Sequence, residues 1–225
     1  MKKSAYETDL GVDVDPQLTF ERHINNKILK ANRMMGAIRR SFRYLDHNTF
    51  RLLYKSMVRC HLESASSVWC PRTEQLCDSI ERVQRTATSM LPGMGGLDYA
   101  DRLRALKLPT LRSRRLRGDM IETYKILHHE YEPIVSPALP LRADQPGRAA
   151  PRCHPLTLST LLSVKPVRRG SFTQRVIPVW NSLSAAVKDA PSLDCFKARI
   201  DREWAQEAVI LDPKARLSKL PASSL

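Results

Sequence analysis

The chain has 225 residues, of which 42% are hydrophobic, and its 37 lysines and arginines against 23 acidic residues give a net charge of +14. The apolar share excludes wholesale disorder, and no apolar run approaches the ~20 residues of a membrane helix. So large a cationic surplus points to a polyanionic partner, with nucleic acid the usual one, against the plain alternative of a basic surface that binds nothing.

Residues 1–19 read as a short lead-in. Leu10-Gly11-Val12-Asp13-Val14-Asp15-Pro16 alternates apolar and polar residues as a strand does, then stops at a proline. Asp13 and Asp15 would share one face of that strand, but Asp-Pro is also a common turn opener, and no metal is expected there.

Residues 20–131 read as five helices with short breaks, the pattern of an antiparallel bundle. Thr19 can cap the first, from Phe20 to about Arg40, with Ile24, Ile28, Ala31, Met35 and Ile38 in one stripe. Asp46 can cap the second, whose stripe of Phe50, Tyr54, Met57, His61 and Ala65 runs toward Trp69 and ends at Pro71. Leu53 is also expected in the core. A third helix fits Thr73 to Met90, with Leu76, Ile80, Val83, Ala87 and Met90 inward, before Pro92-Gly93-Met94-Gly95-Gly96 breaks the chain. Tyr99 to Lys107 is short and ends ahead of Pro109. Thr110 caps a fifth helix reaching about His129, with Leu116, Met120, Tyr124 and Leu127 along one side.

Residues 132–170 carry seven prolines and read as a linker, with a strand expected over Leu156 to Val164. A small C-terminal α/β unit follows over 171–208. It has an apolar turn at Val176 to Trp180, then a helix capped by Ser192 with Phe196, Ile200 and Trp204 four apart. Residues 209–225 are expected to form a flexible basic tail. The fold class is thus mainly α. Trp69, Trp180 and Trp204 read as core rather than as base-stacking platforms.

The chemistry-bearing groups are basic. Arg39-Arg40-x-x-Arg43 closes the first helix, Arg112-x-Arg114-Arg115-x-Arg117 opens the fifth, and Arg168-Arg169 precedes the last unit. Arginine offers a fork that fits phosphate and stacks on bases. Arg39 and Arg40 also suit the dipole of a helix C-terminus, whereas cations opening the fifth helix oppose it. Those four are therefore expected to be the main anion-binding surface, joined by Arg39, Arg40 and Arg43 if the first and fifth helices lie side by side; Asp119 and Glu122 are within reach to pair with Arg115. The partner would be RNA, DNA or a hybrid held through its backbone. Cys60-His61, Cys70, Cys77 and Cys153-His154 lack the tight Cys-x-x-Cys spacing of a zinc knuckle, so the cysteines are expected to act as small buried apolar residues. No phosphate loop or dinucleotide fingerprint is present, and no metal or cofactor is expected. An odd number of scattered cysteines, and a basic start without an apolar h-region, suit an intracellular protein of nucleus or cytoplasm, neither secreted nor membrane-bound.

One set of phrases goes further. Leu10-Gly11-Val12, Phe20-x-x-His23-Ile24, Leu53-Tyr54-Lys55-Ser56-Met57-Val58-Arg59 and Val68-Trp69-x-Pro71 come first. Ile80-Glu81-x-Val83-Gln84-Arg85-x-Ala87-Thr88, Arg114-Arg115-x-Arg117-Gly118-Asp119, Trp180-Asn181-Ser182-Leu183 and Phe196-Lys197 follow. In this order they resemble the C-terminal region of reverse transcriptases from non-LTR (LINE-type) retrotransposons, of the jockey-like and chicken-repeat-like kinds. Ser64 and Ser184 depart from the usual tyrosine and proline. The resemblance spans roughly residues 10–205 and implies a thumb-like helical bundle with post-thumb segments, residues 1–19 leading in from a palm. It carries no catalytic residue of that family, because the chain has no Asp-Asp dipeptide to hold the two metals a polymerase needs. The expectation is a fragment or relic of such a reverse transcriptase, without polymerase or endonuclease chemistry and with at most backbone binding of a template–primer. The alternative is a domesticated module that contacts nucleic acid or protein.

Overall fold

The computed structural model describes residues 6–132, 134, 136–144, 154–159, 168 and 170–220. The fold is mainly α, and among the described residues the one sheet has two strands. By its contacts the chain divides into two compact units, Met1–Arg115 with Val209–Ala215, and Leu116–Ala208 with Arg216–Leu225. The division falls inside a helix rather than in the proline-rich segment. None of the helices of the described residues is long and apolar enough to cross a membrane.

The first unit opens with a hairpin, β1 (Glu7–Asp9) paired antiparallel with β2 (Val12–Val14). Leu10 and Gly11, expected within a strand, instead make its two-residue turn, with φ of 44° and 79°. Positive φ at both central positions is what a tight hairpin demands, and glycine at the second meets it without strain. Helix α1 (Glu21–Ser41) follows, with Phe20 at its N-cap position in the left-handed region, and the Thr19 hydroxyl accepts the Glu21 N–H at 3.4 Å. The Asp15 carboxylate accepts from the backbone N–H groups of Gln17, Thr19 and Phe20 and from the Thr19 hydroxyl. Asp13 is likewise engaged, by Thr8 and Asn26.

Asp46 caps α2 (His47–Leu53) as expected, accepting from Asn48 and Thr49 N–H. The helix then widens into a π segment (Tyr54–Arg59) before α3 (Cys60–Glu63) and α4 (Ser66–Trp69). A π turn lengthens the repeat, so the buried stripe is Phe50, Tyr54, Val58 and Leu62, each four apart. The expected inward residues Met57 and His61 fall outside it, and Ala65 sits at a left-handed break. Helix α5 (Glu74–Ser89) is capped by Thr73 and buries Ile80, Val83 and Ala87 against α1. Ile24 and Met35 of α1 are buried, whereas Ile28 and Leu53 are only partly covered and Met90 is exposed. Helix α6 (Tyr99–Leu106) and the first turn of α7 (Leu111–Leu127) complete the unit.

A chain of polar contacts threads this core. The Tyr54 hydroxyl donates to Gln84 Oε1 at 2.8 Å, and Gln84 Nε2 donates to Tyr99 Oη and to the Pro109 carbonyl, both at 3.0 Å. Tyr99 donates to Glu81 at 2.5 Å, and Glu81 accepts the Leu111 N–H at the start of α7. Burial raises the Glu81 pKa above the usual carboxylate range, against the lowering effect of Tyr99, Arg115 and the α7 N–H groups.

The second unit is built on the rest of α7 with α8 (Phe172–Ser182), α9 (Ala185–Lys188) and α10 (Leu193–Glu203). The expected apolar turn at Val176 to Trp180 is thus helical, with Pro178 inside it. Ser192 caps α10, and Phe196, Ile200 and Trp204 are buried as expected. Phe196 stacks on Tyr124 at 4.5 Å and near Trp180 at 5.9 Å. The Asn181 side chain accepts from Leu158 N–H and donates to its carbonyl, as a strand neighbour would, while Trp180 Nε1 donates to the Leu156 carbonyl. Leu158 also bridges Leu141 antiparallel, and most of the strand expected to Val164 lies outside the described residues. The expected flexible tail is packed where it is described. Val209 is fully buried in the first unit, its carbonyl bonded to Thr110, and Leu217 is buried in the second.

Two outcomes test this packing. Ile80→Ala removes a buried side chain from the face of α5 and should cost about 2–5 kcal/mol in urea unfolding; an unchanged midpoint would mean that α5 presents another face. His23 is buried against Trp69, its Nδ1 accepting the Asp13 N–H at 3.1 Å. Burial, then Lys27, hold its pKa below the usual histidine value, over the opposing effect of Asp13. The unfolded ring titrates near ~6.5, so below that pH the unfolded chain binds more protons. The stability this ring contributes is full above about pH 6.5 and falls as pH drops toward the lower folded value. His23→Gln should therefore flatten the change in urea midpoint between about pH 7.5 and about pH 5.5. The same slope in wild type and variant would rule this titration out.

Candidate nucleic-acid interface

The arginine run at the start of α7 does not present a free cationic face. Arg114 makes a two-pronged ion pair with Glu63, at 2.9 and 3.0 Å. Arg112 reaches both Glu74 oxygens at 3.4 Å and the Pro213 carbonyl at 3.1 Å. Arg117 grips Asp201 at 2.5 and 2.8 Å. Arg115 is buried, 4% exposed, and its Nη1 has no partner among the described residues. Its charge acts on Glu81 and Cys77. The local partners considered for it are taken. Asp119 holds Arg175 at 2.9 Å through both oxygens, and Glu122 bonds Lys125 and Tyr131. The carboxylates that neutralise Arg112, Arg114 and Arg117 lie 38, 51 and 84 residues away in sequence, beyond any helical-spacing rule.

Arg39, Arg40 and Arg43 behave differently. All three are exposed, and none has an ion pair among the described residues. Arg168 is exposed, its carbonyl accepting from Ser171, and Arg169 lies outside the described residues. Cys60 and Cys195 are exposed and Cys70 and Cys77 half-buried, so they are not the core residues expected. Cys153 lies outside the described residues. No group of three metal-ligating side chains occurs among the described residues.

A second basic group escaped the sequence reading. Arg51, Lys55 and Arg59 stand four apart along α2 and the π segment, and that spacing was the signal. Tertiary packing brings Arg114 to them. Glu63 accepts from Arg114 and pairs with Arg59 at 3.3 Å, while Arg51 bonds Asn48. Burial first, then the Arg59, Arg51 and Arg114 guanidiniums, push the Lys55 pKa below the usual lysine value, with Glu63 opposing. Burial also lowers Arg59, despite Glu63. Arg59 and Arg114 thus share one carboxylate, and Lys55 feels three guanidiniums against it, an arrangement that an added anion would stabilise.

The chain matches no family model, no curated protein and no solved structure.

The two kinds of ion pair separate in energy. The Asp119–Arg175 pair is nearly dry, its side chains 5% and 12% exposed, whereas Asp201 opposite Arg117 is 55% exposed. Asp119→Ala should cost about 3–5 kcal/mol by removing the carboxylate from a largely covered guanidinium. Arg117→Ala should cost at most about 1 kcal/mol. Chemical denaturation of both variants checks this, and equal costs would overturn the distinction.

Proposed function

We propose that the chain is a C-terminal, thumb and post-thumb, portion of a non-LTR retrotransposon reverse transcriptase, binding the nucleic-acid backbone without catalysing polymerisation. The ordered phrases support the family reading. Several of them fall on residues that hold this fold together, among them Glu81, Gln84, Asp119, Trp180 and Asn181. The single observation that carries the binding reading is the crowding of Arg51, Arg59 and Arg114 about Lys55, with Glu63 paired to Arg59 and Arg114. A phosphate backbone presents charges in series to such a cluster and needs no base-edge contact. On this reading Arg112 and Arg117 serve the fold, and Arg51 and Lys55 serve the ligand.

The experiment is a fluorescence-anisotropy salt titration with duplex and hybrid oligonucleotides of different sequence. Wild type should bind them alike. Arg51→Gln/Lys55→Gln should weaken all of them equally and flatten the log–log salt slope by about 0.7–0.9 for each phosphate that is no longer neutralised. Arg117→Gln should leave the slope unchanged. Equal slopes for wild type and the double variant would rule out this cluster, and a lack of binding by wild type at low salt would rule out the binding function.

A further inference from the structure

The first unit holds a cavity of 320 Å³ beside the C-terminal end of α1. Its walls are apolar, with Met35 and Ile38 from α1, Phe50 from α2, Val58 from the π segment, and Met90 and Pro92 after α5. Tyr54 also lines it, but its hydroxyl is bonded to Gln84 within the core. The remaining polar side chains of the lining are Arg39, Arg40 and Arg43. Arg39 and Arg40 stand in the last turn of α1, where the helix dipole favours cations. Arg43 lies beyond the helix and has no such reason to be there.

We propose that this cavity binds a small amphiphilic anion, a single apolar chain ending in a carboxylate. The walls remove the apolar body from water, and the three guanidiniums meet the head group with charge-assisted hydrogen bonds. A flipped nucleobase fits less well, because the lining side chains offer no free group to read a base edge except the arginines. The volume lies at the small end of the ~300–1,000 Å³ typical of ligand pockets, which suits one chain rather than a two-chain lipid. This site is separate from the Arg51–Lys55–Arg59–Arg114 group and stands without the nucleic-acid reading.

The test is calorimetric titration of the full chain with dodecanoate, dodecanol and dodecyltrimethylammonium, each below its micelle-forming concentration. Dodecanoate should bind saturably and at least about tenfold more tightly than the other two. Shortening its chain should weaken binding about fourfold per methylene. Arg39→Gln/Arg40→Gln/Arg43→Gln should erase the preference for the anion while leaving the thermal midpoint in place. Ala87→Leu, which fills the cavity, should weaken binding about tenfold or more; if that variant fails to fold, the head-group series and the arginine variant decide. Equal binding of the three head groups would overturn the proposal, as would an arginine variant that keeps the preference. So would a chain that attaches to phosphatidylglycerol vesicles and takes up no free dodecanoate.

Discussion

The first unit depends on one buried carboxylate. Glu81 is 1% exposed, yet it faces the N-terminus of α7, where unpaired N–H groups and the helix dipole favour negative charge. Its other bond comes from Tyr99, which also receives Gln84, which in turn receives Tyr54. One acidic group thus ties α5 to α6, to the start of α7 and to the π segment. Each member would be a costly buried polar atom if left alone. Satisfied together, they fix which faces of these helices meet, a specificity that apolar contacts alone supply less sharply.

The second unit solves a similar problem with other groups. Asp119 and Arg175 join α7 to α8 through a two-pronged, nearly dry ion pair, and Arg175 also reaches the Gly170 carbonyl. Asn181 and Trp180 satisfy the backbone of Leu156 and Leu158. A side-chain amide carries both donor and acceptor groups, so it can stand in for a neighbouring strand. This is the physical content of the Trp-Asn phrase, and it requires no ligand.

Much of the helical layout was legible because it rests on local chemistry. Asp46, Thr73, Thr110 and Ser192 cap the helices they precede, and the 3.6-residue stripe marks Ile80, Val83, Phe196 and Ile200 as buried. What failed was non-local or conformationally rare. A π turn shifts the buried set from Met57 and His61 to Val58 and Leu62, and no spacing rule anticipates the extra residue in the turn. The tail looked polar, but Val209 and Leu217 are covered by parts of the chain that only folding brings near. The surroundings of the candidate arginines were hidden for the same reason. Arg112, Arg114 and Arg117 stand out as a run, yet their neutralising carboxylates lie on distant elements. Arg51, Lys55 and Arg59 look unremarkable until Arg114 is packed beside them.

The +14 charge is therefore divided by the fold into two populations. Arginines whose forks close on carboxylates serve as struts, and their charge is spent internally. Lys55 and Arg51 beside the Arg59–Glu63–Arg114 group, and the arginines at the end of α1, keep an outward field. The π segment is where fold and charge meet. Tyr54 points into the Glu81 network while its neighbours Lys55 and Arg59 carry the crowded cations, and Val58 is buried between them. A π turn is intrinsically less favourable than the α-helix around it, so contacts on both of its sides must hold it. The buried Tyr54–Gln84 bond is such a contact, and through it the core sets the position from which the basic cluster faces solvent.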